Sequence, residues 1–265
     1  MKKQITQRSG PVIKVEGLTV RYGDDTVLQN VDFELRPGEI FVIMGGSGCG
    51  KSTLLKHMIG IENPAEGKIW INGTDTSLLD EAQLRDVHMG IGMLFQSAAL
   101  FGSMTLGENV ALPLTEFTNL SSRDIDLVVK MKLAMVELAG YDNHYPAELS
   151  GGMKKRAGIA RAMALEPAML FLDEPSAGLD PVTSAELDLL IKKLNDGTGT
   201  TMVIVTHELE TIFNISHRII MLDRDAKGII AEGDPRKLRT NSKDRRVTDF
   251  FNRRVPEKTN EGMHL

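Results

Sequence analysis

The chain has 265 residues, enough for one large domain or two small ones, with 42% hydrophobic against 25% charged residues, the balance of a globular protein. A formal net charge of −5 offers no basic face of the kind nucleic-acid binding needs, so nucleic acid is not expected as a partner. The single cysteine, Cys49, excludes an internal disulfide and fits a reducing compartment.

No stretch approaches the roughly 20 consecutive apolar residues that cross a bilayer. The basic Met1-Lys2-Lys3-Gln4 leads into no apolar segment, so no signal peptide is expected. Any membrane role is expected to come through a partner.

Val12 to Val20 alternates as a strand, with Lys14 and Glu16 on the wet side and Ile13 and Val15 on the other. Arg21-Tyr22-Gly23 turns the chain; Tyr22 reads either as a ring that stacks on adenine or as a turn tyrosine with no ligand. Val27 to Leu35 alternates again, with Val27, Val31, Phe33 and Leu35 on one face, and the two runs predict a small antiparallel layer. After a Pro37-Gly38 turn, the apolar strand Ile40 to Met44 delivers the chain into Gly45-Gly46-Ser47-Gly48-Cys49-Gly50-Lys51-Ser52, followed by Thr53. Ser52 to Ile59 then reads as a helix. This is the phosphate-binding pattern G-x-x-x-x-G-K-[ST] in the strand–helix context it requires. Its glycines let backbone N–H groups cradle a β-phosphate, and the helix N-terminus adds the positive end of its dipole. Lys51 can reach the β- and γ-phosphates, and the Ser52 hydroxyl is placed to ligate Mg²⁺. Cys49 is either a small filler at a variable position or a thiol that nucleotide would cover.

Lys68 to Asn72, ending in Asn72-Gly73, predicts a strand and tight turn. Met89 to Phe95 is an apolar run ending in Gln96, whose amide either caps the strand or points an oxygen at Mg²⁺ and an attacking water. From about Ala98 to Glu148 the pattern is helical, with Ser121-Ser122 capping a helix of Ile125, Val128, Val129, Leu133 and Val136 that runs to Gly140. Met89, Met93, Met104, Met131 and Met135 fall in or beside this region, as plastic core filler or as the lining of a groove for a partner helix. Leu149 to Arg156 opens a further helix reaching about Leu165. Its Ser150, Gly151 and Gly152 make either a second anion-binding helix start or a plain N-cap.

Pro167 stops that helix, and Ala168 to Leu172 reads as a strand buried on both faces of a parallel sheet. It ends in Asp173 and Glu174, where open α/β sheets place ligands; one carboxylate can hold the Mg²⁺ shell while the other faces the water that attacks. Asp180 caps the next helix, Pro181 takes its first turn, and Leu187, Leu190, Ile191 and Leu194 form its apolar face. Met202 to Thr206 is a second buried strand, ending in His207, which is placed to touch a γ-phosphate. Arg218 to Leu222 and Gly228 to Glu232 close the sheet, and the alternation predicts an α/β fold with a mostly parallel core. From Asn241 the periodicity is lost and a loose tail is expected, although the short apolar cluster of Val247, Phe250 and Phe251 argues that it docks somewhere, a neighbouring subunit among the choices.

Taken in order, Tyr22, residues 45–53, Gln96, Leu149-Ser150-Gly151-Gly152, Asp173-Glu174, Ser176 to Asp180 and His207 resemble the ATP-binding subunit of an ABC transporter over about residues 12 to 240. The resemblance implies the P-loop ABC ATPase fold: a mostly parallel core sheet, an antiparallel β layer and an inserted helical subdomain at about 97–165. The ATPase domain would span 1–240, with a C-terminal extension at 241–265. The resemblance further implies that Tyr22 stacks on adenine, that the 45–53 loop binds the phosphates of ATP, and that Ser52, Gln96 and Asp173 contact Mg²⁺. Glu174 would be the general base and His207 would hold the γ-phosphate and the water. Two copies would pair head to tail, Ser150-Gly151-Gly152 of one covering the γ-phosphate held by the other, with Asp180 at the seam. Met153 stands where many family members have glutamine, and a thioether cannot donate a hydrogen bond.

Met93 to Phe101, Glu108 to Leu114 and Leu149 to Arg156 are similar to the ATPases of Mla-type transporters, which move phospholipids or other hydrophobic molecules with MCE proteins. That likeness implies a subunit at the cytoplasmic face of the inner membrane. Its partners would be a multispanning permease, an MCE-family lipid-binding protein and a small cytoplasmic regulatory subunit. The segment Val247 to Arg254 would reach the partner ATPase. Another ABC importer or exporter, for amino acids or peptides, is the second reading; the sequence of the coupling region argues against it, but substrate is chosen by partners outside this chain. A soluble ABC ATPase of DNA repair or translation would bring paired cassettes or coiled-coil insertions, and neither is present in the sequence.

Overall fold

The computed structural model describes residues 10–254. Met1 to Gln4 and the end of the C-terminal extension lie outside the described residues. In chain order the elements are β1 (Ile13–Tyr22), β2 (Asp25–Leu35), β3 (Ile40–Gly45), α1 (Lys51–Met58), β4 (Glu66–Ile71), β5 (Thr74–Asp75), α2 (Glu81–Met89) and β6 (Ile91–Leu94). There follow α3 (Leu106–Phe117), α4 (Ser122–Met135), α5 (Gly151–Ala162), β7 (Met169–Asp173), α6 (Pro181–Thr198) and β8 (Thr201–Val205). The chain closes with α7 (Leu209–Ile215), β9 (Arg218–Asp223), β10 (Gly228–Gly233), α8 (Pro235–Asn241) and α9 (Arg245–Phe251).

Two sheets form. The antiparallel one has the order β2-β1-β4-β5; the larger runs β10-β9-β3-β8-β7-β6 and is parallel except where β10 pairs with β9. Because strand side chains alternate between faces, the parallel sheet feeds two cores. Phe41, Ile43, Phe171, Val203 and Val205 meet the antiparallel sheet and α1. Ile40, Val42, Met44, Leu170, Leu172, Met202 and Ile204 meet the helices of the other side. The strands are therefore apolar on both faces, which is why β3, β7 and β8 are legible as uninterrupted runs.

The departures from expectation are local and have local causes. In β2, Asn30 takes a left-handed backbone (φ 49°) and the register with β1 shifts, so Leu28 is buried where strict alternation points to Val27. The run from Met89 is divided, since Met89 ends α2 and the strand begins at Ile91. The helix at Ser122 stops at Met135 instead of reaching Gly140, with Glu137 left-handed just beyond it (φ 62°). Residues 97–165 hold α3, α4 and α5, whose Val110, Leu114, Val129, Leu133 and Ala157 share one buried cluster with the sheet.

The C-terminal segment is not a loose tail over its described part. Asp244 caps α9, and Val247 and Phe251, four residues apart on one helical face, are buried against their own chain. The Phe251 ring meets Phe213 of α7 with centroids 5.5 Å apart. These two side chains thus dock on their own chain. No helix among the described residues is long and apolar enough to cross a membrane.

Candidate nucleotide site

The buried strand β3 carries the chain to the phosphate loop. Gly45 has φ 147°, and a Cβ there would lie 2.3 Å from the Leu222 carbonyl oxygen and 2.7 Å from Cys49 Sγ, so only glycine fits. Gly48 and Gly50 are left-handed, and Gly50 caps α1 without any side-chain capping bond. The first-turn N–H groups of α1 are thus left for an anion. Lys51 Nζ donates to the carbonyls of Gly45 and Gly46 at 3.0 and 2.9 Å, which holds its charge at the mouth of the loop. Ser52 is exposed beside it and Thr53 half-buried. Cys49 is buried, and burial pushes its thiol up; a buried neutral thiol is filler, not a nucleophile.

At the end of β7, Glu174 adopts a left-handed backbone (φ 46°) and its N–H donates to the Val205 carbonyl at 2.8 Å. Its Oε1 lies 2.9 Å from Nδ1 of His207, which follows β8. With the carboxylate ionised, Nδ1–H is the donor and Nε2 is the free ring nitrogen. Asp173 Oδ1 and Glu174 Oε2 are buried without a hydrogen-bond partner. Burial, reinforced by the Glu174 charge, pushes the Asp173 carboxyl above the ordinary range, with Lys155 and Lys51 pulling it back. Such an unpartnered carboxylate suits a hard cation. No group of three or more His, Cys, Asp or Glu that could hold a metal exists among the described residues. A cation here would therefore depend on phosphate oxygens and water for most of its shell, the usual manner of Mg²⁺. The residues fit that ion.

Gly45, Gly46, Ser47, Lys51, Glu174 and His207 line one cleft of about 860 Å³, together with Ser184, Glu208, Glu210, Phe250 and Arg253. The strand ends of β3, β7 and β8 bring them together across the sheet. The other expected residues lie outside that cleft. Tyr22 is half exposed near Thr53, its hydroxyl donating to the Glu62 carboxylate. Gln96 is exposed after β6, and its carbonyl accepts from Lys155. Ser150 caps α5 by accepting the Met153 N–H at 3.3 Å. Gly151 and Gly152 follow, and a Cβ on Gly152 would lie 2.5 Å from Thr183 Cγ2. Asp180 caps α6 through the N–H groups of Val182 and Thr183, which together with the Thr183 hydroxyl hold its carboxyl below the usual range. Within one chain, then, nothing from the start of α5 closes over Lys51.

Residues that sequence reasoning passed over also bear on the site. Lys155 belongs to the Leu149 to Arg156 motif, but nothing local signals that its amine is buried. Phe250 and Arg253 line the cleft because α9 docks in cis, which the short, capped apolar triplet Val247, Phe250 and Phe251 could have suggested. Chemically, the cleft offers donors for a polyphosphate at one end and an oriented carboxylate for proton abstraction at the other.

The family model of the ABC transporter matches residues 28–177. The probable ribonucleotide transport ATP-binding protein mkl of Mycobacterium leprae is 40% identical over 92% of this chain and 70% of its own length. The intermembrane phospholipid transport system ATP-binding protein MlaF of Haemophilus influenzae is 40% identical over 91% of this chain and 90% of its own length. The methionine import ATP-binding protein MetN of Brucella abortus matches at 40% over 86% of this chain and 60% of its own length. Among solved structures, the dimeric ATP-binding cassette MJ0796 in a post-hydrolysis state bound to ADP and Pi has a TM-score of 0.75 at 34% identity, over 84% of this chain and 98% of that one. The cbiO1 protein of Clostridium perfringens, part of an ABC transporter complex, has a TM-score of 0.81 at 27% identity, over 93% and 96%. Relatives at equal identity thus carry three different cargoes in their names.

Proposed function

The chain belongs to the ABC transporter family and is an ATPase, and from that premise we propose that it powers a transporter of phospholipids or other hydrophobic molecules across a bacterial envelope. The observation that carries the mechanism is the convergence of Lys51, Glu174 and His207 on one cleft at the strand ends. The phosphates of ATP lie in the 45–53 loop, where Gly45, Gly46, Ser47, Gly48, Cys49 and Gly50 offer backbone N–H groups. Lys51 reaches the terminal phosphates, and Tyr22 packs on the adenine. Ser52, Gln96 and Asp173 would hold Mg²⁺, which would supply positive charge to neutralise the phosphates. Glu174 Oε1 takes the proton of the attacking water, and His207 orients that carboxylate through Nδ1 and turns Nε2 to the γ-phosphate.

A second copy completes the site. Its Ser150, Gly151 and Gly152 supply the donors that one chain lacks over Lys51, with Asp180 beside the seam. The ATPase domain is residues 1–240, with 97–165 as its helical insert and 241 onward as an extension whose α9 docks on the same chain.

The lipid cargo rests on one observation, and the contact with a permease on a second. The relative named for phospholipid transport spans nearly the whole of both chains, whereas the chain covers only 60% of the methionine importer. Second, a groove lined by Met89, Met93, Phe95, Phe101, Leu112 and Pro113 presents an apolar seat for a permease helix. In this reading the subunit sits at the cytoplasmic face of the inner membrane, with an MCE-family protein and a small regulatory subunit as further partners. The test is to purify the tagged chain from detergent-solubilised membranes and identify co-purifying proteins and lipids by mass spectrometry. We expect a multispanning permease, an MCE protein and phospholipid; a different permease with a solute-binding protein would overturn the lipid cargo and keep the ATPase.

A further inference from the structure

Helix α5 has the Ser150-Gly151-Gly152 start at one end, and further along it grips two loops of its own subunit. Lys155 is almost wholly buried, and its Nζ donates to the Gln96 carbonyl at 2.7 Å and to the Glu174 carbonyl at 2.9 Å. Those acceptors follow the ends of β6 and β7, and they lie 59 and 19 residues from Lys155 in sequence. Two turns on, Arg161 donates to the carbonyls of Ala98 and Ala99 at 3.0 and 2.7 Å, the two left-handed alanines (φ 61° and 47°) that follow Gln96. One helix therefore holds the backbone of the Gln96 loop at three points and that of Glu174 at a fourth.

There is no slack in this joint. A Cβ on Gly158 would lie 2.6 Å from Leu94 Cδ1, and one on Gly92 would lie 2.3 Å from the Ala162 carbonyl oxygen. Helix α5 and strand β6 thus touch closely enough to move as one body. Glu174 is the sensitive end, because its left-handed backbone persists only while its surroundings over-determine it. A charged donor, itself buried, shared by two backbone carbonyls is a strong constraint of that kind.

We propose that Lys155 is a positioning residue that transmits engagement of the Ser150-Gly151-Gly152 start to Gln96 and Glu174 of the same subunit. The site that α5 completes in the partner would then set the catalytic geometry of the site its own chain holds. This rests on the head-to-tail pairing under the proposed function. When the start of α5 closes on a nucleotide bound by the partner, the displacement of the helix reaches both carbonyls through one ammonium group, and the two sites fire in concert.

The test compares Lys155→Met, which keeps the bulk and loses the donor, with Lys155→Arg, which keeps both charge and donors. ATP turnover is measured against ATP concentration on the full chain, with melting temperatures alongside. We expect Lys155→Met to lower kcat roughly 3- to 30-fold, the usual size of coupling changes, with KM for ATP unchanged and the Hill coefficient falling toward unity. Lys155→Arg should restore both. Wild-type kcat and Hill coefficient in Lys155→Met would overturn the proposal. So would equal losses in the two variants that track melting temperature, since that marks a purely structural role. Glu174→Gln, run in parallel, should dimerise on ATP by size-exclusion chromatography. Its failure to do so would sink the head-to-tail reading itself, whereas dimerisation with an inert Lys155→Met would sink only the coupling.

Discussion

Glu174 illustrates how much a single position can be asked to do. Its backbone is left-handed just past the C-terminal end of β7, and His207 fixes one carboxylate oxygen at 2.9 Å. Glu174→Gln keeps the shape and a polar partner for His207 but removes the base. Turnover is expected to fall roughly 10²–10⁴-fold with ATP binding intact, read by phosphate release and by equilibrium nucleotide binding; normal turnover would remove Glu174 from the mechanism. Lys51→Ala is expected to do the reverse and weaken ATP binding first. Gly45→Ala must push a methyl into the Leu222 carbonyl, so both nucleotide affinity and melting temperature are expected to drop. A variant that melts and binds ATP like the wild type would show that the loop can relax around it. Lys51, Glu174 and His207 were legible because each ends or begins a strongly patterned segment. Lys155 was not, since its acceptors come from other strands and its burial is a property of the tertiary structure alone.

At the level of elements, legibility followed length and patterning. The buried strands β3, β7 and β8 and the long amphipathic α6 announce themselves, because few other structures produce an uninterrupted apolar run or a sustained 3.6-residue period. The short helices α7, α8 and α9 have seven residues each, too few to be stable without packing, so their sequences carry little signal of their own. Helix α9 is the instructive case. Its caps are local, but its existence depends on Val247 and Phe251 finding the core. Phe251→Ala is therefore expected to cost about 3–5 kcal/mol, as is usual when a buried phenylalanine site is emptied. Phe250→Ala, at a half-buried position, should cost much less. Urea unfolding of the two variants checks the ordering, and equal midpoints would mean that α9 is not anchored in cis.

On the scale of the whole molecule, one buried acid gives stability an unusual pH dependence. Asp188 of α6 is sealed against α7, with its Oδ1 and the Thr211 hydroxyl both buried without a hydrogen-bond partner. Burial pushes its carboxyl up to about 6, with Glu208 and Glu210 adding to this and Asn214 pulling it back only in part. The unfolded chain has the ordinary aspartate value near ~4. Between roughly pH 4 and 6 the folded chain therefore holds a proton that the unfolded chain has released, and stability falls as pH rises through that window. The full effect is on the order of 3 kcal/mol. The acids that shift the other way, such as Glu62, Glu137 and Asp244, belong to mostly exposed ion pairs that contribute little. Asp188→Asn removes the penalty while keeping the shape. It is expected to raise the melting temperature most at pH 8 and clearly less at pH 4.5, near the start of that window, where the folded wild type still holds its proton. Thermal melts at the two pH values decide the matter: a difference between variant and wild type that is the same at both would mean that the charge of Asp188 is not what the fold resists. A difference that grows with pH would place that cost between the helix that Asp180 caps and the helix that follows His207, the two elements that flank the nucleotide cleft.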